Sequence, residues 1–231
     1  MTMSSPEERL QDVRRRIDEA CARAGRDAAS VTLVAIAKTF PADRVRDLLA
    51  CGQSLFGESR VQEALEKIPA VGEGARWHLV GHLQRNKARH AVGVFELIHS
   101  VDSEALAREL DRRAAAAGIR QAILLQVNVS GEESKHGVPE SGAEGLLETV
   151  SGLEHLDPRG LMTIPPWSED PERSRPWLVR LRELRDRLRG PTGLDLPELS
   201  MGMTDDFEVA VEEGATLVRI GTALFGKRLQ D

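Results

Sequence analysis

Tyrosine is missing altogether from these 231 residues, and aromatics of any kind make up only 3%. Mechanisms that need a tyrosine base or nucleophile are therefore excluded. Cysteine is nearly absent: Cys21 and Cys51 stand far apart and form no Cys-x-x-Cys. That pattern fits two free thiols in a reducing cytoplasm. No apolar run approaches the length that spans a bilayer. The first six residues lack the basic-then-apolar pattern of a signal peptide. Excess positive charge is lacking as well. A net charge of −6 argues against a chain whose main task is gripping nucleic acid or an anionic membrane.

No linker, low-complexity tract or tandem repeat interrupts the chain. What recurs is an alternation of short apolar runs with amphipathic stretches, the signature of a parallel α/β sheet. A helix opens at Ser5-Pro6-Glu7-Glu8, with cap, N1 proline and acidic first turn in order, and ends near Gly25. Residues 31–38 (VTLVAIAK) read as a nearly continuous apolar strand, with a helix opening at Pro41-Ala42-Asp43. The same beat returns at 54–57, 77–81, 97–101, 122–129, 158–164, 198–202 and 216–221. Helical patterns lie between, at 103–117, 139–151, 171–189 and 204–213. The economical closure is a single (β/α)8 TIM-like barrel with an extra N-terminal helix, one domain over residues 1–231. A doubly wound open sheet is the alternative. The chain stops ten residues after Gly221, so no second domain is expected.

Parallel barrels build their sites at the C-terminal strand ends. By period two, Lys38 shares a face with Thr32, Val34 and Ile36, and Arg219 shares one with Leu217 and Gly221. If both faces point inward, the two cations meet at one mouth, because closure makes the first and last strands neighbours. Cations converging in a mostly apolar pocket favour a neutral lysine amine, the form imine chemistry needs. Two small-residue clusters follow the seventh and eighth strands, Ser200-Met201-Gly202-Met203-Thr204 and Gly221-Thr222-Ala223. They offer close backbone approach and hydroxyl donors at the positions where barrels frequently hold phosphate. Together these features favour a phosphate-bearing aldehyde, pyridoxal phosphate, held as a lysine imine.

Competing motifs are weaker. Gly221-x4-Gly226-Lys227 mimics a P-loop, but Arg228 replaces the required Ser or Thr. Gly72-Glu73-Gly74 lacks the third glycine of a dinucleotide fingerprint. His78 and His82 stand four apart but straddle a strand end and a loop, so polar loop contacts outrank a metal pair. The 173–189 stretch carries seven arginines, yet Leu178, Leu181, Leu184 and Leu188 form a stripe to be buried. It reads as a solvated amphipathic helix and leaves a nucleic-acid module as the last-ranked class.

Val34-Ala35-Ile36-Ala37-Lys38-Thr39 resembles the cofactor-lysine strand of the pyridoxal-phosphate homeostasis proteins, also described as proline synthase co-transcribed proteins. Phe56-Gly57-Glu58-Ser59-Arg60-Val61-Gln62-Glu63 and Trp77-His78-Leu79-Val80-Gly81-His82-Leu83-Gln84-Arg85-Asn86-Lys87 are similar to two further blocks of that family. Gly160-Leu161-Met162-Thr163-Ile164, Leu199-Ser200-Met201-Gly202-Met203-Thr204-Asp205-Asp206 and Val218-Arg219-Ile220-Gly221-Thr222 complete a resemblance that runs in order along the whole chain. It implies a barrel like the N-terminal domain of alanine racemases. It implies that Lys38 carries the cofactor as an internal aldimine, that Arg219 faces the pyridine nitrogen, and that Ser200, Gly221, Thr222 and the Met201 backbone hold the phosphate. Ser59, expected near the cofactor, stands where the family usually has Asn, and His82 where it often has Pro.

The resemblance implies a role in vitamin B6 homeostasis, with cofactor-dependent apoenzymes as partners. An arginine opposite the pyridine nitrogen leaves that nitrogen unprotonated and weakens the electron sink. A two-base racemase also needs a second base, which here only His78, His82 or His136 could supply. A cytoplasmic, monomeric binding protein without turnover is therefore expected. A racemase-like enzyme is the alternative.

Overall fold

The computed structural model describes residues 5–132 and 134–226. Lys227 and Arg228 of the P-loop mimic lie outside the described residues.

Eight strands form the closed wall: β1 (Thr32–Ile36), β2 (Leu55–Glu58), β3 (Arg76–Leu79), β4 (Leu97–Val101), β5 (Gln121–Asn128), β7 (Leu156–Met162), β8 (Glu198–Ser200) and β9 (Leu217–Ile220). A two-residue strand, β6 (Val138–Pro139), pairs with the end of β5 outside the ring. All wall pairings are parallel in the order β4-β3-β2-β1-β9-β8-β7-β5, and a β4–β5 pairing closes the ring. Each of the eight expected strand segments overlaps one wall strand, with ends shifted by up to two residues. The architecture is the expected (β/α)8 barrel and not an open sheet.

Alternation along each strand divides the core into two layers. Val34, Ile36, Leu55, Leu97, Leu124, Met162 and Leu217 fill the barrel. Leu33, Ala35, Phe56, Trp77, Ile98, Ile123, Leu161, Val218 and Ile220 face the helices. These are α2 (Ala42–Ala50), α3 (Val61–Val71), α4 (Ala88–Ala91), α5 (Glu104–Ala117), α6 (Ala143–Ser151), α7 (Arg175–Thr192), α8 (Phe207–Glu212) and α9 (Thr222–Phe225). The extra N-terminal helix, α1 (Pro6–Arg23), opens with a capping box between Ser5 and Glu8 and packs beside α8 and α9.

Leu178, Leu181, Leu184 and Leu188 of α7 are buried, as their spacing predicts. Several of its arginines are paired, Arg175 with Glu172, Glu212 and Glu213, and Arg180 with Glu140. That is the solvated amphipathic helix read from the sequence. No helix among the described residues is long and apolar enough to cross a membrane.

Candidate functional site

The C-terminal strand ends open into a pocket of about 280 Å³. Lys38, Ser59, Arg219, Gly221 and Thr222 line it, together with Ile36, Val80, Gly81, Ile164, Met203, Thr204 and Asp205. Registry explains the convergence of the two cations: Val34 lies opposite Arg219 and Thr32 opposite Leu217, so both strands turn the same positions inward. A second cavity, of about 290 Å³, opens at the other end of the wall beside Arg14, Thr32, Gln53, Ser54 and Arg76. There the Gln53 amide donates to the Leu33 and Leu55 carbonyls and closes the strand starts, the end of such barrels that serves stability.

Lys38 lies in a turn two residues past the end of β1, whereas the apolar run predicts strand up to it. The ladder continues only as far as the Ala37 N–H, which donates to the Gly57 carbonyl at 2.9 Å. Thr39 then takes a left-handed conformation at φ 68°, which is strained for a β-branched residue. Two side chains hold this turn. Lys67 Nζ donates to the Ala37 carbonyl at 2.7 Å, and the Thr39 N–H donates to Glu63 Oε1 at 2.6 Å. Lys67 also pairs with Glu58 Oε1 at 2.5 Å and Glu63 Oε1 at 3.0 Å. Glu58 is fully buried and its Oε2 has no hydrogen-bond partner among the described residues. Burial pushes the Glu58 carboxyl up to about 7 and outweighs the opposing pull of Lys67.

Arg219 is buried and forms no ion pair among the described residues. Its Nη1 donates to Ser200 Oγ at 2.6 Å and its Nη2 to the Thr163 carbonyl at 2.8 Å. Desolvation lowers its pKa to about 10, with the Asp206 carboxylate pulling the other way. A buried guanidinium lacking a counter-charge costs several kcal/mol (roughly) unless something electron-rich faces it. Anionic or lone-pair ligands meet that need.

Behind Ser200 runs a chain of buried polar groups. Ser200 Oγ lies 2.8 Å from His99 Nδ1, and His99 Nε2 lies 3.0 Å from His78 Nδ1. Because Arg219 donates to the hydroxyl oxygen, the hydroxyl is polarised as a donor to His99 Nδ1. His99 then carries its proton on Nε2 and donates to His78, an assignment made from the donor inventory. Burial, with Arg76 adding to it, pushes His78 down to about 4. Burial also pushes His99 well below its ordinary value, helped by His78 and Arg219. Both rings are neutral at pH 7.

Five of the seven expected binding residues thus meet in one pocket, and two do not reach its surface. Ser200 has no exposed surface, and its hydroxyl is engaged by Arg219 and His99. The Met201 side chain is buried against the helix layer, and its backbone N–H donates to the Leu217 carbonyl at 3.1 Å. Ser59 is positioned by close backbone contact. A Cβ on Gly81 would fall 2.2 Å from the Ser59 carbonyl oxygen, so only glycine lets the β3 end lie against it. His78 and His82 are not a pair: His78 points into the barrel toward His99, while His82 is exposed at the rim. Sequence reading missed His99, although its alternation with Leu97 marks it as inward-facing. It also missed the contact between Glu58 and Lys67.

The family described as alanine racemase, N-terminal domain, matches residues 9–228. A pyridoxal phosphate homeostasis protein of Aquifex aeolicus is 48% identical over 96% of this chain and 97% of its own. One from Pseudomonas aeruginosa is 44% identical over 98% of this chain and 97% of its own. Among solved structures, PipY of Synechococcus elongatus with pyridoxal phosphate bound superposes with a TM-score of 0.81. It is 40% identical and covers 91% of this chain and all (100%) of its own. Alanine racemase of Corynebacterium glutamicum, at 16% identity and a TM-score of 0.69, shares the fold over 60% of its length. The chain belongs to the pyridoxal phosphate homeostasis protein family, within the wider group built on the alanine racemase N-terminal domain.

Proposed function

We propose that this chain binds pyridoxal 5′-phosphate in the mouth pocket and serves cofactor homeostasis in the cytoplasm. In this reading residues 1–231 act as one monomeric binding domain that passes the cofactor to apoenzymes and does not turn substrates over. The observation that carries it is the meeting, in one pocket, of Lys38 with a buried Arg219 that has no ion pair among the described residues. A cavity of about 280 Å³ suits a one-ring ligand, at the small end of the usual range for ligand sites. When bound, the cofactor supplies an aldehyde that an amine can hold covalently.

The chain's own residues have distinct tasks. Lys38 presents the amine from a turn clamped by Glu63 and Lys67. Arg219, fixed by Ser200 and Thr163, would offer its remaining N–H donors to the ring nitrogen and so keep a proton off it. Thr222, Thr204 and the Gly221 backbone hold the phosphate, and Ser59 lines the wall. Ser200 acts through Arg219 and not on the ligand. Two features support the absence of turnover. The sequence contains no tyrosine, and His78 is a neutral buried ring engaged with His99.

The test is reduction of the purified protein with borohydride, followed by peptide mapping. The expected result is visible absorbance that bleaches on reduction and a stable adduct on Lys38. A main adduct on another lysine would overturn the assignment.

A further inference from the structure

The loops after β3, β4 and β5 bring His82, Asp102 and His136 together at the rim of the mouth. Their donor atoms all lie within 4.8 Å of one another. His82 Nδ1 is 3.4 Å from Asp102 Oδ2. The His82 and His136 rings stack with centroids 4.0 Å apart and planes 8° from parallel. Among the described residues no other group of His, Cys, Asp and Glu meets in this way. We propose that these three side chains form a binding site for a divalent transition-metal ion of the zinc, cobalt or nickel type.

The donor set selects the class of ion. Two imidazole nitrogens and one carboxylate oxygen suit borderline metals, whereas magnesium and calcium take oxygen ligands. Zinc bonds of about 2.0–2.2 Å place neighbouring donors in a tetrahedron about 3.3–3.6 Å apart. The His82–Asp102 separation already has that value. The stacked rings hold their lone pairs in nearly parallel planes, so metal binding requires His82 and His136, both exposed, to rotate out of the stack. Three protein ligands leave an open position for water or a ligand group.

The backbone beneath the site is fixed although the rings are exposed. His82 follows Gly81, which is locked against Ser59. Asp102 follows the last residue of β4. The His136 carbonyl accepts from the Gln126 amide at 3.1 Å. At the next residue, Gly137 (φ +124°), a Cβ would fall 2.6 Å from the Asn128 N. The loop is thus drawn onto β5, and β6 zips its far end. Gly81 also lines the pocket, so the ion would stand at the edge of the mouth. Nothing in the pocket's own chemistry requires it there.

The experiment titrates untagged full-length protein, as purified, with Zn2+ by calorimetry and with Co2+ by absorbance. One ion per chain is expected, with cobalt d–d bands of nitrogen and oxygen ligation and a metal-induced rise in Tm. His82→Ala and His136→Ala should each weaken binding by at least about 10-fold, and the double variant should lose both the stoichiometric site and the Tm rise. Both side chains are exposed, so the variants should keep the parent circular dichroism without metal. Absence of one-to-one binding, unchanged affinity in the double variant, or thiolate charge-transfer bands pointing to Cys21 or Cys51 would each overturn the proposal.

Discussion

Lys67 Nζ reaches the carbonyl oxygen of Ala37 at 2.7 Å and so grips the chain one residue before Lys38. The same ammonium group neutralises Glu58, a carboxylate with no exposed surface. Lys67→Met should therefore lower stability by about 3–5 kcal/mol at pH 8, where it leaves a buried carboxylate unpaired. The loss should shrink at pH 5.5, because Glu58 can then take up a proton. Chemical denaturation at the two pH values measures this, and adding Glu58→Gln should recover most of the loss. A loss that does not depend on pH would mean that Lys67 acts through packing alone.

Buried histidines and Glu58 pull the pH dependence of stability in opposite directions. His78 is lowered from 6.5 to about 4, so unfolding takes up a proton between those values and stability falls as pH falls. Glu58 is raised from 4.5 to about 7, so the folded state holds the extra proton and stability falls as pH rises through that window. These two effects oppose one another between pH 4.5 and 6.5. His99, shifted in the same sense as His78, adds to the loss on acidification. Tm should drop on acidification below pH 6.5, and Glu58→Gln should make the drop steeper. Calorimetry from pH 4.5 to 8 checks both slopes.

Thr222 lines the pocket and, in the proposed function, holds the phosphate. Thr222→Val should weaken pyridoxal phosphate binding by roughly 10- to 100-fold, the effect of losing one charge-assisted hydrogen bond. Binding of pyridoxal, which lacks the phosphate, should barely change. Equal losses for the two ligands would show that Thr222 does not contact the phosphate.

Ser200 makes a different prediction because its hydroxyl contacts Arg219 and His99. Ser200→Ala should cost about 1–3 kcal/mol of stability through the polar groups left unsatisfied. It should also weaken pyridoxal phosphate and pyridoxal alike, by loosening Arg219. A loss confined to pyridoxal phosphate, read by fluorescence titration, would return Ser200 to a direct role on the phosphate.

Turnover is tested by following α-proton exchange of L-alanine, L-serine or L-glutamate in deuterated water. Exchange no faster than with free pyridoxal phosphate is expected. Rates on the order of 1 s⁻¹ that vanish in Lys38→Ala would identify an enzyme.

The wall of the barrel was legible in the sequence because its causes are local. Apolar runs at 31–38, 122–129 and 216–221 contain strands whose inner residues are buried on both faces, and glycines or capping residues punctuate them. Period two was enough to turn Arg219 inward, and closure of a parallel barrel made its strand the neighbour of β1. Lys38, however, reaches the mouth from the turn beyond β1, which side chains of α3 hold. Partnerships between distant side chains were not legible. Ser200 reads as an exposed hydroxyl after a strand until β4 places His99 2.8 Å away and β9 places Arg219 at 2.6 Å. Glu58 reads as a strand-end carboxylate until α3 folds back and sets Lys67 against it. His82, Asp102 and His136, separated by 20 and 34 positions, meet only because β3, β4 and β5 are adjacent in the ring. Face periodicity is a property of one strand, whereas which side chain meets which depends on registry and curvature between strands. Only the tertiary structure sets those.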